Sequence, residues 1–251
     1  MNKPKPYIGV SAVTTTEEAQ AVSASFIAQD ITFESSHTPM VGFLLSREQP
    51  EDRPLSSLRY TELGSVSKLI GSVDVHVGTA LHYETSYPES LTDDICALLE
   101  TLSKNKLPSA LQLNVEFFEG LSDSFKEIRR QYPDILLILQ LRSLQLPQSI
   151  AQFGDSLDYI LIDSSCGKGE RVDTKRAIEM YHEIQVKMPE VTVGFAGGLS
   201  PENLDEILPA LSKHIDSGFC IDAESQIRTK DDHLDLHRTD MYIARAAALL
   251  L

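Results

Sequence analysis

Residues 193–203 read VGFAGGLSPEN, and this stretch indicates how the whole chain folds. The apolar run 191–196, which contains two valines, predicts a short strand that is buried on both faces. Gly197-Gly198 then permits a tight turn that presents bare amides. Ser200 is a good helix cap and Pro201 suits the first helical position. The stretch therefore predicts a strand, a turn and a helix in immediate succession.

A strand that ends at glycines just before a helix is a typical anion site, because the exposed amides and the helix dipole point the same way. An ordinary turn of an α/β protein has the same local pattern. The stretch alone therefore leaves two interpretations open, a phosphate site and a plain turn.

The same alternation of strand and helix recurs along the chain. The predicted strands are 7–13, 40–45, 73–77, 111–115, 135–141, 159–162, 191–196 and 217–221. The predicted helices are 14–29, 61–70, 91–103, 122–131, 147–153, 173–187, 201–211 and 231–250. Eight such units in 251 residues predict a single (β/α)8 barrel domain spanning residues 1–251. The alternative, an open doubly wound sheet, lacks the dinucleotide fingerprint in the first strand–helix turn.

Composition narrows the range of partners and compartments. The net charge of −15 argues against nucleic acid and anionic membrane surfaces. Glycine amides could still hold a small anion. The three cysteines, Cys96, Cys166 and Cys220, have no metal-ligand spacing and indicate a reducing compartment. No apolar run approaches the length of a membrane span, so we expect a cytoplasmic protein.

A barrel of this class places its active site at the carboxyl ends of its strands. The polar residues predicted there are Ser11, Thr14, Ser46, His76, Thr79, Asn114, Glu116, Gln140, Arg142, Asp163 and Asp222. Asp163 is the strongest candidate, because it follows the apolar run 159–162 and enters an apolar mouth, where a general acid is favoured. A carboxylate that caps a nearby loop amide is the alternative. The loop 166–169, Cys-Gly-Lys-Gly, adds a second flexible turn at the same rim.

The seven histidines show no metal-binding pattern. His76 could face the barrel interior, whereas His82 is predicted to lie on the loop that follows the third strand. His233 and His237 lie four residues apart on the predicted last helix, but a third ligand is missing. We therefore expect no metal site.

Several segments together resemble one family. They are AGGLSPEN at 196–203, ILID at 160–163 followed by GKG at 167–169, LQL at 111–113 and SLRY at 57–60. These segments are similar to motifs of phosphoribosylanthranilate isomerase: the AGGLTPEN phosphate turn, the sixth strand with its GGTG loop, VQLHG and SPRY. The resemblance implies a (β/α)8 barrel. It also implies an Amadori rearrangement of an aminoaldose phosphate in tryptophan biosynthesis, without metal or cofactor.

The resemblance also implies roles for individual residues. Asp163 falls on the general acid that protonates the sugar ring oxygen, and Arg59 on the arginine that holds the anthranilate carboxylate. The substrate-binding residues that it implies are Arg59, Gly167, Gly169, Gly197, Gly198, Leu199, Asp222 and Ser225.

The departures from the family are equally informative. Ser11 stands where the family has its cysteine base, and a serine hydroxyl needs an adjacent base to lose its proton. The base role is therefore vacant, or it is taken by His76 or Glu116. On the eighth strand Glu224 brings a negative charge to the phosphate site, and Arg228 could compensate for it. Asn114 replaces the family's histidine on the fourth strand.

Three functions remain in view. The first is isomerisation or epimerisation of a phosphorylated sugar, with Asp163 as acid and Ser11 in the position of the base. The second is a non-catalytic or differently catalytic barrel that binds a small phosphorylated or carboxylated metabolite. The third, a lyase or aldolase, requires a lysine at a strand end, and none is found there. Barrels of this kind occur as monomers and homodimers, and the apolar tail 246–251 could pack on the barrel or meet a partner chain.

Overall fold

A computed structural model describes residues 3–47, 58–102, 106–143, 145–163, 172–216 and 218–251. Eight parallel strands pair in chain order and close into a barrel, so the predicted (β/α)8 fold is confirmed. The strands are β1 (Tyr7–Val10), β2 (Thr38–Ser46), β3 (Gly78–Glu84), β4 (Ala110–Asn114), β5 (Leu136–Leu141), β6 (Tyr159–Asp163), β7 (Thr192–Ala196) and β8 (Cys220–Ala223). The barrel closes where β1 pairs with β8, with Gly9 opposite Asp222.

Helices surround the barrel. They are α1 (Thr16–Ala28), α2 (Val66–Ile70), α3 (Leu91–Thr101), α4 (Leu121–Gln131), α5 (Thr174–Lys187), α6 (Leu204–Ser212) and α7 (Leu236–Leu250). Between β5 and β6 a 3₁₀ segment, Gln148–Ser156, stands where a short helix was predicted. The amino end of α1 is fixed by its sequence, because Thr15 and Glu18 form a capping box that satisfies two backbone amides of the first turn. Among the described helices, none is long and apolar enough to cross a bilayer.

The barrel interior changes character from bottom to top. Its lower part is filled by an apolar cluster, namely Tyr7, Met40, Ala80, Ala110, Ile138, Tyr159, Leu161, Ala196 and Cys220. Because side chains of a strand alternate between its two faces, every second residue of each strand points into the barrel. Further along the strands, these positions carry Ser11, His82, Gln112, Gln140 and Asp222. With an apolar layer below and polar groups above, the carboxyl end of the barrel is the place for a candidate site.

The third strand lies five residues later than predicted. Residues 73–77 form a turn in which Val75 is 83% exposed, and His76 is also exposed. The strand Gly78–Glu84 is instead buried at every position before Glu84. The alternation of valine with polar residues at 73–77 suggested a half-buried strand, but parallel barrel strands are covered on both faces and do not alternate. Thr79 therefore lies at the amino end of β3, away from the mouth.

The helix after the glycine turn also begins later than predicted. Residues 201–203 form a turn and α6 starts at Leu204. Asn203 holds this turn together, since its Oδ1 accepts from the Ser200 amide at 2.9 Å and its Nδ2 donates to the Gly198 carbonyl at 2.7 Å. The predicted Ser200 cap is therefore wrong, and the side chain of Asn203 closes the turn.

Two further boundaries differ from the prediction. β1 ends at Val10 and not at residue 13, because Ala12 adopts a positive φ of 63° that no strand continues through. The last helix begins at Leu236 and not at residue 231. His233 therefore precedes α7, whereas His237 lies within it, and the two do not share a helix face.

Candidate active site

Two connected pockets open at the carboxyl end of the barrel. The rim pocket, about 290 Å³, is lined by Leu44, Arg59, Tyr60, His82, Glu84, Asn114, Gln140, Arg142, Asp163 and Glu224. The floor pocket, about 40 Å³, is lined by Ser11, His82, Gln112, Gln140, Leu161, Asp163, Ala196, Gly197, Gly198, Asp222, Glu224 and Ser225. His82, Gln140, Asp163 and Glu224 border both pockets, so the two form one continuous mouth.

Ser11 has a buried carboxylate beside it. Its Oγ donates to Asp222 at 2.7 Å from Oδ1 and 2.9 Å from Oδ2. Burial raises the pKa of Asp222 to about 7; the hydrogen bond from Ser11 opposes this rise, and the nearby charges of Glu224 and Asp163 add to it. The sequence indicated Asp222 only as a substrate-binding residue. The pairing depends on closure of the barrel between β1 and β8.

Asp163 ends β6 and faces the pockets, with 5% of its surface exposed. Gln140 Nε2 donates to Asp163 Oδ2 at 2.9 Å, and Gln112 Nε2 donates to Gln140 Oε1 at 2.9 Å. Two amide side chains from β4 and β5 therefore orient this carboxyl group. The geometry favours the interpretation of Asp163 as a pocket group.

The glycine turn borders the floor pocket. Gly197 and Gly198 have φ values of 90° and 66°, which side chains rarely adopt, so the turn requires glycine at both positions. Ser225 lies on the same wall. The side chain of Leu199 is 1% exposed and packs in the hydrophobic core, away from the pocket wall. Gly167 and Gly169, like Cys166, lie outside the described residues.

Arg59 lines the rim pocket but already has two partners. Its Nε donates to Asp232 Oδ1 and Oδ2 at 2.9 and 3.0 Å, and its NH1 donates to Glu224 at 2.9 Å. Partial burial in the mouth raises the pKa of Glu224, while the neighbouring charge and hydrogen bond of Arg59 lower it. A ligand carboxylate that bound Arg59 would therefore compete with Glu224.

The other arginines near the mouth are also paired. Arg142 donates to Glu84 and to Asn114. Arg228 has a side chain that is only 2% exposed, and it donates to the Ala12 carbonyl at 3.1 Å and to the Asp232 carbonyl. Arg228 therefore stabilises the loop after β8 through backbone hydrogen bonds and does not line either pocket.

Four polar pocket residues were not among the predicted site residues: Tyr60, His82, Glu84 and Gln112. His82 and Glu84 face the mouth because β3 lies later than predicted, and Tyr60 donates to Glu84 across the rim. The available signal in the sequence was the run GTALHY at 78–83, which contains no acidic residue, lysine or arginine and which fits a strand covered on both faces. The two residues suggested as bases, His76 and Glu116, are both exposed and line neither pocket.

Comparison with known proteins agrees with this architecture. The family model of N-(5'-phosphoribosyl)anthranilate (PRA) isomerase matches residues 119–225. No curated protein sequence matches the chain.

Solved structures match over nearly the whole length. Phosphoribosylanthranilate isomerase from Thermus thermophilus is 18% identical, with a TM-score of 0.67 and coverage of 97% of this chain and 99% of that one. The enzyme from Thermotoga maritima is 17% identical, with a TM-score of 0.63 and coverage of 97% and 100%. TrpF from Jonesia denitrificans is 18% identical, with a TM-score of 0.63 and coverage of 98% and 100%. The resemblance drawn from the motifs is thus confirmed by the family model over residues 119–225, and the solved structures confirm the fold.

Proposed function

We propose that this divergent relative of the phosphoribosylanthranilate isomerases isomerises a phosphorylated sugar without a cofactor, in an Amadori-type or epimerase reaction. One observation carries the proposal. Asp163 and the Asp222–Ser11 pair line the same floor pocket beside Gly197-Gly198. A similar fold, 16% identical with a TM-score of 0.62, is that of a phosphoribosylanthranilate isomerase in complex with reduced 1-(o-carboxyphenylamino)-1-deoxyribulose 5-phosphate.

The base in this proposal is Asp222, acting through Ser11. With a pKa of about 7, the Asp222 carboxyl is partly ionised at neutral pH and is matched to proton abstraction there. The sugar carbon loses its proton to Ser11 Oγ as the Ser11 hydroxyl proton moves to Asp222. This relay fills the role that the cysteine thiolate has in the family.

The acid in this proposal is Asp163. Gln140 holds one of its oxygens and so keeps the carboxyl group directed at the pocket. Proton transfer from Asp163 to the ring oxygen opens the sugar ring. Loss of the C2 proton to the base side then gives an enolic intermediate, which becomes the ketose when C1 takes up a proton. Acid and base belong to different strands, β6 and the β1–β8 seam.

The two ends of the substrate have different receptors. The amides of Gly197-Gly198 are suited to the phosphate group. Arg59 is suited to a carboxylate on the other end of the molecule, provided that this carboxylate displaces Glu224.

The existing pairing of Arg59 also favours a second candidate, a barrel that binds a small phosphorylated or carboxylated metabolite without turning it over. Glu224 lines the floor pocket beside the glycine turn and places a negative charge there. This charge would weaken the binding of a phosphate group. The protein would then act as a sensor or partner subunit and not as an enzyme.

Purified protein mixed with phosphoribosylanthranilate, followed by fluorescence, separates the two candidates. Turnover that is lost in Asp163→Asn and kept in the matched control Asp123→Asn, whose side chain is 78% exposed, supports the isomerase. Absence of turnover together with thermal stabilisation by ribose 5-phosphate supports the binding barrel.

Two variants of Ser11 test the relay. Ser11→Ala should lose turnover if the hydroxyl carries the proton and should keep it if Asp222 acts directly. Activity that appears only in Ser11→Cys would contradict the Asp222 base and would show that the natural protein lacks one.

A further inference from the structure

The floor of the mouth contains two polar groups without partners. His82 is 8% exposed, and within the described part of the chain it makes no hydrogen bond or ion pair. Gln112 Oε1 is buried and accepts no hydrogen bond from any described residue. Buried polar atoms are nearly always satisfied, so the unpaired Gln112 oxygen beside a pocket requires an explanation.

The position of this pair separates it from the other unsatisfied groups. Tyr7, His37 and Tyr242 each have an unpaired buried atom as well, but they line neither the rim pocket nor the floor pocket. His82 and Gln112 are direct register partners on β3 and β4, and both line the floor pocket. Their unused hydrogen-bonding atoms therefore face a pocket that a ligand group can enter.

His82 also borders the proposed base. A Cβ atom on Gly42 would lie 2.6 Å from His82 Nε2 and 2.8 Å from Ser11 Oγ, so both atoms border the same point in front of β2. The absence of a side chain at Gly42 keeps that point open. A ligand atom held by His82 is consequently close to the Ser11–Asp222 pair.

The chemistry of the two groups selects the ligand atom. Burial lowers the pKa of His82 to about 3, so the ring is neutral and has one N–H donor and one acceptor nitrogen. Gln112 uses its Nε2 on Gln140, which leaves Oε1 as an acceptor. A hydroxyl group can accept from the imidazole and donate to Gln112 Oε1. An ionised carboxylate, or the fully ionised phosphate ester of a sugar, has no proton to donate and would leave the Gln112 oxygen unsatisfied.

We propose that His82 and Gln112 form a subsite for one hydroxyl group of the sugar, next to the carbon that loses its proton. This inference rests on the proposed function, because it identifies which part of a sugar phosphate occupies the floor. His82 thereby becomes a substrate-contacting group that the sequence motifs do not include.

The direct test is NMR of protein with ¹⁵N-labelled histidine, titrated with ribulose 5-phosphate, with reduced 1-(o-carboxyphenylamino)-1-deoxyribulose 5-phosphate and with inorganic phosphate. We expect the His82 signals to be those of one neutral tautomer and to shift with both sugar phosphates but not with inorganic phosphate. His37 is buried away from both pockets and serves as the internal control.

Variants give a second readout. Loss of one hydrogen-bonding partner should weaken binding of the reduced analogue about tenfold in His82→Leu. His82→Gln keeps a donor and an acceptor and should restore part of the affinity. His37→Gln should bind as tightly as the natural protein. Thermal unfolding of each variant verifies that it is folded.

The outcomes separate this inference from the proposed function. If the sugar phosphates bind or turn over while the His82 signals stay unchanged and His82→Leu binds equally well, the hydroxyl subsite is wrong and the isomerase stands. If phosphoribosylanthranilate is not turned over but ribulose 5-phosphate shifts the His82 signals, the isomerase fails and the subsite stands. The subsite is wrong if the His82 signals shift with inorganic phosphate alone. It is also wrong if they shift with none of the three probes.

Discussion

The rim pocket and the floor pocket share one barrel mouth but treat their charges differently. On the rim, Arg59 is paired with Glu224 and Asp232, and these three side chains are 19%, 35% and 23% exposed. On the floor, Asp222 is buried beside a neutral hydroxyl, and His82 has no hydrogen-bonding partner among the residues that the structure describes. The charged groups of the rim are therefore held in ion pairs, whereas the polar groups of the floor are buried and not all of them are hydrogen-bonded.

This difference indicates what each pocket can do. Partly exposed ion pairs contribute at most about 1 kcal/mol each, so a ligand anion can exchange with one of them at little expense. Buried groups that lack solvent or a counter-charge have perturbed proton affinities and strong local fields, which suit them to catalysis. The rim should therefore select and admit the ligand, and the floor should carry the chemistry.

The largest effect is expected on the floor from Asp222→Asn. Asparagine still accepts the hydrogen bond from Ser11 but cannot take a proton, so kcat should fall by about 10²–10⁴-fold. In the natural protein kcat/KM should rise with pH through about 7, because the base must be ionised. Steady-state rates with phosphoribosylanthranilate from pH 5 to 9 measure both effects. A flat profile below pH 8 would remove Asp222 from the base role.

The same substitution should change stability in a pH-dependent way. The folded pKa of Asp222 is about 7 against an ordinary value of 3.8, so the fold favours the neutral acid. The natural protein should lose stability as the pH rises from about 4 to 7, and the full penalty of about 4 kcal/mol should be present above 7. Asp222→Asn lacks this penalty. Denaturant unfolding at pH 4, 6 and 8 should show the variant gaining on the natural protein, and a constant difference would contradict the buried charge.

A smaller effect is expected where the floor is most crowded. Gly42→Ala would place a Cβ 2.6 Å from His82 Nε2, so the imidazole has to move. Overpacking of this kind costs about 1–3 kcal/mol, measured as the free energy of unfolding. Gly64→Ala is the matched control, since a Cβ there meets nothing within 4 Å. Equal stability of the two variants would mean that His82 is not fixed at the floor.

The smallest stability effect is expected on the rim. Glu224→Gln removes one partner of Arg59 and should change the free energy of unfolding by less than about 1 kcal/mol. It should nevertheless tighten binding of the reduced product analogue several-fold, because a competing carboxylate is gone. Calorimetric titration measures this gain. Unchanged or weaker affinity would indicate that Glu224 does not compete with the ligand.

Much of the site could be predicted from single segments. Asp163 follows an apolar strand directly, and Gly197-Gly198 follows another, so both were placed at the mouth by local pattern alone. His82 and Glu84 could not be placed in this way. The alternation of valine and polar residues at 73–77 resembles a half-buried strand more closely than the observed strand, Gly78–Glu84, does. That error also put His76 forward as a base, whereas it is exposed before β3.

The sequence by itself determined the repeating strand–helix units, the glycine turn and the acid at the end of β6, since each depends on neighbours within a few residues. Only the tertiary structure decided which carboxylate lies beside Ser11 and how the arginine is paired. Ser11 and Asp222 are 211 positions apart and meet because the barrel closes. Arg59 meets Glu224 across a separation of 165 positions for the same reason. Contacts of this range and the desolvation that raises the pKa of Asp222 arise from packing, which no local pattern encodes.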